Sequence, residues 1–410
     1  MRVAVVGTGY VGLVSGACMA DLGHQVTCID VDAEKIARLE QGVLPIYETG
    51  LEEIVKRNTL AGRLQFTTSF ADGLRNAEVI SIAVGTPTHA DTGSVDMRFI
   101  YEAAKSIGTN LSGHAVIATK STVPIGTRDR ITEIIGGETS QTFDVVSNPE
   151  FLGEGHAVHD FMHPSRIVIG TTSPRAKEIM LRLYAYLDCP KLVMDPRSAE
   201  ITKYAANAFL ATKISFINEM AHLCEHLDAD VEHVAHGIGF DPRIGRDFLR
   251  PGPGWGGSCF PKDVRALQKL GESIGHELPI VNAAIRMNEL ARLRIADRMV
   301  SELGDMTDRI IAFLGIAFKS NTDDTRESAS VELMRLLRDR GAHIRAYDPI
   351  AHVNIAHHGF EVPHTDSPYE AATGAHAAVI TTEWEEFRTL DLARLKSVME
   401  GNVLMDTRNM

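Results

Sequence analysis

The first thirty residues, MRVAVVGTGYVGLVSGACMADLGHQVTCID (residues 1–30), decide how the rest of the chain is read. RVAVVG is an apolar run of strand length, GTGYVG a glycine-punctuated turn, VSGACMADLG a stretch of small helix-compatible residues, and HQVTCID a second strand ending in an acid. This order predicts a βαβ unit. Gly7, Gly9 and Gly12 carry the GxGxxG spacing between strand and helix, and Asp30 follows Gly12 by 18 positions. The glycines permit a tight turn that brings a pyrophosphate onto the helix N-terminus, where unpaired N–H groups and the helix dipole favour an anion. Asp30 suits the ribose diol and repels a 2′-phosphate, so the expected cofactor is NAD rather than NADP. The competing reading, that Asp30 only starts a turn, is outweighed by the complete pattern.

Strand-like runs continue at 77–87, 114–124, 143–151 and 166–170, a rhythm that predicts extension of one parallel sheet. Thr86, Ser121, Thr122, Glu150 and Glu154 fall just past the carboxyl ends of these runs, the edge where open α/β sheets bind ligands. From Ser198 to about Asp228 the chain has good helix formers without Gly or Pro, predicting one helix on the order of 45 Å long. On that helix Lys203, Asn207, Ile214 and Asn218 share an arc of about 60°. The arc is either a functional face or a solvated stripe, and the sequence does not choose. His222 and His226 have metal-ligand spacing without a third ligand and read as a solvated pair, so no metal is expected.

After a helical stretch to about Gly304, RIIAFLGIAFK (309–319) opens a second βαβ pattern in which DRGAHIRAYD echoes DLGHQVTCID. The predicted class is α/β: two Rossmann-like doubly wound domains, 1–197 and 305–410, joined by a central helical domain, 198–304, with one long helix. The second copy lacks GxGxxG and should bind a different ligand. Lys319 and Arg326 in its first loop are either phosphate-neutralising groups or ordinary surface charges.

Bulk properties read as those of a soluble chain of two or three domains. At 410 residues, two or three domains are expected, and 44% hydrophobic with 23% charged residues is ordinary for a soluble protein. No apolar run approaches the roughly 18 residues of a membrane span, and the N-terminus reads as a strand rather than an export signal. Cys18, Cys28, Cys189, Cys224 and Cys259 are dispersed without a CxxC pair, which fits a reducing cytoplasm. A formal charge of −13 without clustered Lys and Arg argues against a nucleic-acid partner.

One thiol stands apart. In GGSCFPKD (256–263) Cys259 lies between glycines, which allow close backbone approach, and Lys262 with Asp263. A neighbouring ammonium favours thiolate, so the run has the makeup of a nucleophile site.

Several stretches together resemble the UDP-glucose/GDP-mannose dehydrogenase family: GTGYVGL (7–13), VGTPT (84–88), KSTVPIGT (120–127), NPEFLGEG (148–155), EITKYAANAFLATKISFINE (200–219), DPRIG (241–245), PGPGWGGSCFPKD (251–263) and FKSNTDDTRES (318–328). They run in family order along nearly the whole chain, and GGSCFPKD with NPEFLGEG resembles the UDP-glucose branch more than the GDP-mannose or hexosamine branches. The resemblance implies a four-electron oxidation of UDP-glucose at C6, with NAD as oxidant and the C-terminal domain helping to hold the UDP moiety. The second oxidation explains the thiol. An aldehyde must become tetrahedral before it can surrender another hydride, and a thiolate adding to it gives a thiohemiacetal, then a thioester.

By the same resemblance, Lys203 and Asn207 stabilise developing oxyanions, Asp263 with an ordered water handles the first proton, and Glu150 with Thr122 positions the hydrolytic water. Cofactor contacts are implied for Gly7, Gly9, Tyr10, Val11, Gly12, Asp30, Lys35, Thr86, Thr122, Glu154, Lys262 and Arg326. Substrate contacts are implied for Glu150, Phe151, Leu152, Glu154, Lys203, Asn207, Phe248, Leu249, Gly256 and Lys319. Arg243 resembles an arginine supplied across a dimer interface, so a homodimer is the smallest expected assembly. Gly153 departs from the basic residue often found at its position, which removes one possible phosphate contact.

Overall fold

A computed structural model describes residues 1–89, 94–351 and 358–410, which divide into two compact units, Met1–Ala206 and Asn207–Met410. The N-terminal unit is built on eight strands: β1 (Arg2–Val6), β2 (Gln25–Ile29), β3 (Leu64–Thr67), β4 (Val79–Ile82), β5 (Ala115–Thr119), β6 (Phe143–Ser147), β7 (Ile167–Gly170) and β8 (Lys191–Met194). Their order across the sheet is β3-β2-β1-β4-β5-β6-β7-β8. Side-chain alternation explains why the central strands are apolar throughout. Val3 and Val5 of β1 enter one core with Leu13 and Ala17, whereas Ala4 and Val6 enter another with Ile80 and Ile82, so both faces of the sheet are covered.

The expected uniformly parallel sheet holds except at one place. β6 and β7 meet antiparallel through the single pair Ser147↔Gly170. Gly170 permits that approach, since a Cβ there would stand 2.5 Å from the Cβ of Ala199 and 3.1 Å from that of Ser147. The strands β3 (LQFT) and β8 (KLVM) have no clear signal in the sequence, being four-residue edge strands.

The long helix runs Pro196–Leu227 and crosses the division between the units. In the C-terminal unit it is followed by helices Val231–Gly239, Phe260–Ser273 and Pro279–Leu303, then by β9 (Ile310–Leu314), β10 (His343–Tyr347), β11 (Ala377–Ile380) and β12 (Val403–Asp406). These strands form an all-parallel sheet in the order β10-β9-β11-β12.

The echo between the two βαβ patterns reaches the level of single hydrogen bonds. Gly7 has φ +99° and donates to Ile29 O, while Gly315 has φ +107° and donates to Tyr347 O, each at 2.7 Å. Thr8 N donates to Asp30 Oδ2 at 2.8 Å, and Ile316 N to Asp348 Oδ2 at 2.7 Å. The copies differ in what else the acid does. Asp348 is fully buried and also accepts from Ala317 N, Ile350 N, Ala351 N and Trp384 Nε1. Its acceptor sites are filled from within the fold, so the second copy has no carboxylate left for a ribose.

Replacing Asp348 by Ala leaves these buried donors unpaired and is expected to destabilise the C-terminal unit by about 3–5 kcal/mol. Trp255 and Trp384, the protein's two tryptophans, both lie in that unit and report its urea unfolding by fluorescence. Amide-exchange protection of β1 and β4 should stay unchanged.

Candidate active site

The N-terminal unit carries the cofactor turn. Gly9 caps the helix Tyr10–Asp21 without any side-chain hydrogen bond, and the space where its Cβ would stand is open to 4 Å. Gly7 is required because a Cβ would come within 2.7 Å of Ala83 O, and a Cβ on Gly12 would overlap the carbonyl of Gly7. An uncapped N-terminus with bare backbone beside it fits a pyrophosphate. Asp30, at the end of β2, accepts from Thr8 Oγ1 at 2.6 Å and from Lys35 Nζ at 3.1 Å, besides the Thr8 and Asp32 N–H groups. Burial pushes its carboxyl up, but these hydrogen bonds outweigh it and hold the pKa below the usual range, leaving an anionic acceptor. Val11 is half-buried against the core, and Thr86 is buried in the segment after β4.

Tyr10 leads to a residue the sequence reading passed over. Its hydroxyl donates to Glu48, a buried acid that also accepts from Gly155 N at 2.7 Å and Ala157 N at 3.0 Å. The cofactor turn is thereby tied to the end of NPEFLGEG. Glu48 lies in PIYETG, a loop without periodicity, so nothing in the sequence marks it as buried.

Glu150 follows β6 and meets Lys203 of the long helix at 2.9 Å, both almost fully buried. Burial pushes the Glu150 carboxyl up. The Lys203 charge, the Leu152 N–H at 2.5 Å and the charge of Lys120 together hold it below the usual range. Phe151 lies beneath the guanidinium of Arg166, 3.7 Å from its ring centroid, with Lys203 Nζ at 5.4 Å. Gly153 N donates to Asp160, and Glu154 is buried. Thr122 is half-buried in the loop after β5, where Ser121 Oγ donates to Val84 O at 2.7 Å.

Lys120, also unforeseen as a site residue, is buried between the rings of Phe161 and Tyr184, and the Tyr184 hydroxyl donates to Asn148 at 2.6 Å. Glu200, three residues before Lys203, accepts from Gly126 N at 2.6 Å, Arg128 N at 3.1 Å and Ser147 Oγ at 3.1 Å. Burial pushes its pKa up, with the two backbone donors pulling it back. Its i,i+3 spacing from Lys203 was the available signal.

In the C-terminal unit, Cys259 is half-buried at the N-cap of helix Phe260–Ser273, where the helix dipole favours an anionic sulfur. Ser258 Oγ lies 3.5 Å from its Sγ. One turn on, the buried Asp263 accepts from Asn207 Nδ2 at 2.7 Å and from Lys262 Nζ at 2.5 Å. Lys262 therefore has a carboxylate partner beside the thiol.

The loop before Cys259 is braced on every side. Gly252 N donates to Asn218, Trp255 N to Asn288, and Trp255 Nε1 to Ser215, while Arg292 donates to the Trp255 carbonyl. Ile214 packs against the cluster of Trp255 and Val264. The helical arc is thus a buried face: Asn207 and Asn218 hold the cysteine loop and its helix. The glycines have a specific cause, since a Cβ on Gly256 would overlap Glu327 O and one on Gly257 (φ +84°) would come within 2.8 Å of the Phe318 ring. The cysteine loop and FKSNTDDTRES are in contact.

Phe248 is exposed with φ +63° and stands 6.1 Å from the Phe260 ring, and Leu249 is buried. Lys319 Nζ lies 5.5 Å over Phe318, and Arg326 makes a two-pronged pair with Asp324. Arg243 is highly exposed and makes a similar pair with Asp241 of its own loop. His222 and His226 stack edge to face at 4.5 Å, and no metal cluster exists among the described residues.

Glu150 sets a pH expectation. With its folded pKa below the unfolded value of about 4.3, its pairing stabilises the fold above that pH and is lost as pH falls through the folded value. Glu150→Gln removes the carboxylate charge that faces the buried Lys203 and should lower stability by about 3–5 kcal/mol near neutrality. Denaturation midpoints of the two proteins should converge below about pH 4.

Comparison with known proteins agrees with this arrangement. Models of the UDP-glucose/GDP-mannose dehydrogenase family match along the chain: its NAD binding domain at 1–188, its central domain at 197–290 and its UDP binding domain at 312–410. The UDP-glucose 6-dehydrogenase TuaD of Bacillus subtilis is 45% identical, with 100% of this chain and 89% of the relative covered. The UDP-glucose 6-dehydrogenase of Rhizobium meliloti is 46% identical, covering 100% and 95%. A solved UDP-glucose dehydrogenase from Pyrobaculum islandicum superposes with a TM-score of 0.94 at 41% identity, covering 99% of this chain and 94% of that one. The uncapped glycine turn, the buried Lys203–Glu150 pair and the cysteine at a helix N-cap therefore sit in a chain that belongs to the UDP-glucose/GDP-mannose dehydrogenase family.

Proposed function

We propose that this protein oxidises UDP-glucose at C6 to UDP-glucuronate, drawing on NAD twice and on one water. The observation that carries this reading is Cys259 at the N-cap of helix Phe260–Ser273, with Asp263 one turn away between Asn207 and Lys262. A dehydrogenase that stopped at the aldehyde needs no such thiol. The UDP-glucose relatives, at 45% and 46% identity, favour that sugar over other nucleotide sugars.

NAD supplies the hydride acceptor in both oxidations. The residues suited to hold it are Gly7, Gly9, Tyr10, Val11, Gly12, Asp30, Lys35, Thr86 and Thr122, with Glu154, Lys262 and Arg326 as further contacts. Asp263, through a water, takes the proton of the C6 hydroxyl as that carbon becomes an aldehyde. Cys259 then adds to the aldehyde carbon, forming a C–S bond and a thiohemiacetal. Loss of the remaining hydride leaves a thioester. Lys203 and Asn207 donate to the oxygen that bears negative charge in each tetrahedral state. Glu150 and Thr122 orient the water that attacks the thioester, the C–S bond breaks, and the thiolate and carboxylate are released. Phe151, Leu152, Phe248, Leu249, Gly256 and Lys319 hold the nucleotide sugar.

Residues 1–197 serve as the cofactor domain, 198–304 as connector and 305–410 as the nucleotide-sugar domain in this proposal. Self-association belongs to it too. Phe209, Phe216, Leu223 and Leu227 are exposed at spacings of seven and four along the long helix, an apolar stripe suited to a second copy, with Arg243 exposed for use across that interface. Five cysteines outside any disulfide fit a reducing cytoplasm, and no helix among the described residues is long and apolar enough to cross a membrane.

Counting reduced nicotinamide against UDP-glucose should give two per sugar, whereas one per sugar would assign a simple alcohol dehydrogenase. Cys259→Ser should form no net uronate while keeping NAD affinity, checked by product analysis and calorimetry. Phe209→Asp combined with Leu223→Asp should halve the mass seen by light scattering.

A further inference from the structure

Three groups assigned to thioester hydrolysis come from separate pieces of the N-terminal unit: Thr122 from the loop after β5, Glu150 from the segment after β6, and Lys203 from the long helix. One side chain of that helix bonds to the end of the Thr122 loop and to the last residue of the strand before Glu150. Glu200 is buried on the long helix, one turn before Lys203. Its Oε2 accepts from Gly126 N at 2.6 Å, and its Oε1 accepts from Arg128 N and Ser147 Oγ, each at 3.1 Å. Gly126, at φ +91°, precedes helix Thr127–Glu138, which has no side-chain cap from its own sequence. Glu200 supplies that cap from another element. Ser147 is the last residue of β6, three before Glu150.

We propose that Glu200 is a positioning residue for the hydrolytic half of the reaction, fixing the Thr122 loop and the Glu150 segment to the helix that carries Lys203. This rests on the catalytic roles proposed above. Charged acceptors make the stronger hydrogen bonds to backbone N–H, so a carboxylate between two N–H groups and a hydroxyl defines the loop better than a neutral group does. Glu200→Gln keeps the size but presents one amide nitrogen to a donor. The cofactor turn, held by Gly7 and Asp30, and Cys259, held by elements of the other unit, do not bond to Glu200. Hydride transfer should therefore suffer less than hydrolysis.

The test uses the full-length protein with NAD and UDP-glucose. Since Thr122 is one of many proposed NAD contacts, Glu200→Gln is expected to weaken NAD binding only slightly, to lower kcat about 10- to 100-fold with little change in KM, and to accumulate a sugar adduct on Cys259 by intact mass after rapid quench. Amide exchange across 120–138 should speed up. Should Glu200→Gln fold poorly, Ser147→Ala removes one bond of the same node and should show a smaller adduct build-up. A variant that turns over without adduct overturns the proposal, and so does one that loses NAD affinity and both oxidations together, as expected of a purely structural cap. If the wild type itself forms no reduced nicotinamide, the proposed reaction falls. Unchanged exchange across 120–138 in Glu200→Gln then overturns the clamp on its own terms.

Discussion

Buried and half-buried carboxylates that accept backbone N–H groups hold this molecule's loops in place. A parallel sheet ends in loops whose N–H groups have no strand to bond, and each needs an acceptor when water is excluded. Asp30 takes the N–H groups of Thr8 and Asp32, Glu48 those of Gly155 and Ala157, Glu150 that of Leu152, Glu200 those of Gly126 and Arg128, and Asp348 those of Ile316, Ala317, Ile350 and Ala351. A charged acceptor roughly doubles the strength of such a bond, so irregular segments are fixed where function needs them.

The two sheets show how one device yields different outcomes. Asp30 and Asp348 occupy matching positions and both hold the loop after the first strand. Asp30 bonds to two side chains, a threonine hydroxyl and a lysine ammonium, beside which a ribose can bind. Asp348 is closed in by Trp384 and four N–H groups, and the loop after β9 that it holds continues into the segment that packs on Gly256 and Gly257. The first copy of the fold presents its acid to a ligand, and the second uses it internally.

The cysteine loop shows a related economy. Its glycines admit the Phe318 ring and the Glu327 carbonyl, while Asn218, Asn288, Arg292 and Ser215 bond its backbone and its tryptophan. A nucleophile on an irregular loop is useful only when that loop has one conformation, and here packing from several elements imposes it.

Local pattern alone determined the strand–turn–helix of residues 1–30, the acid at Asp30, the long helix and the repeat at 309–348, because period, glycine spacing and helix propensity act within a few residues. Cys259 was legible for the same reason, lying in a run of glycines beside Lys262 and Asp263 that has no apolar periodicity. The partners were not legible. That Glu150 pairs with Lys203 across 53 residues, that Glu48 binds the backbone of Gly155, that Glu200 caps a helix it does not belong to, and that β6 meets β7 antiparallel at Gly170 depend on which segments the fold brings together. The sequence marks where a polar group stands along the chain; only burial by the tertiary structure makes its unpaired state costly enough to fix its partner.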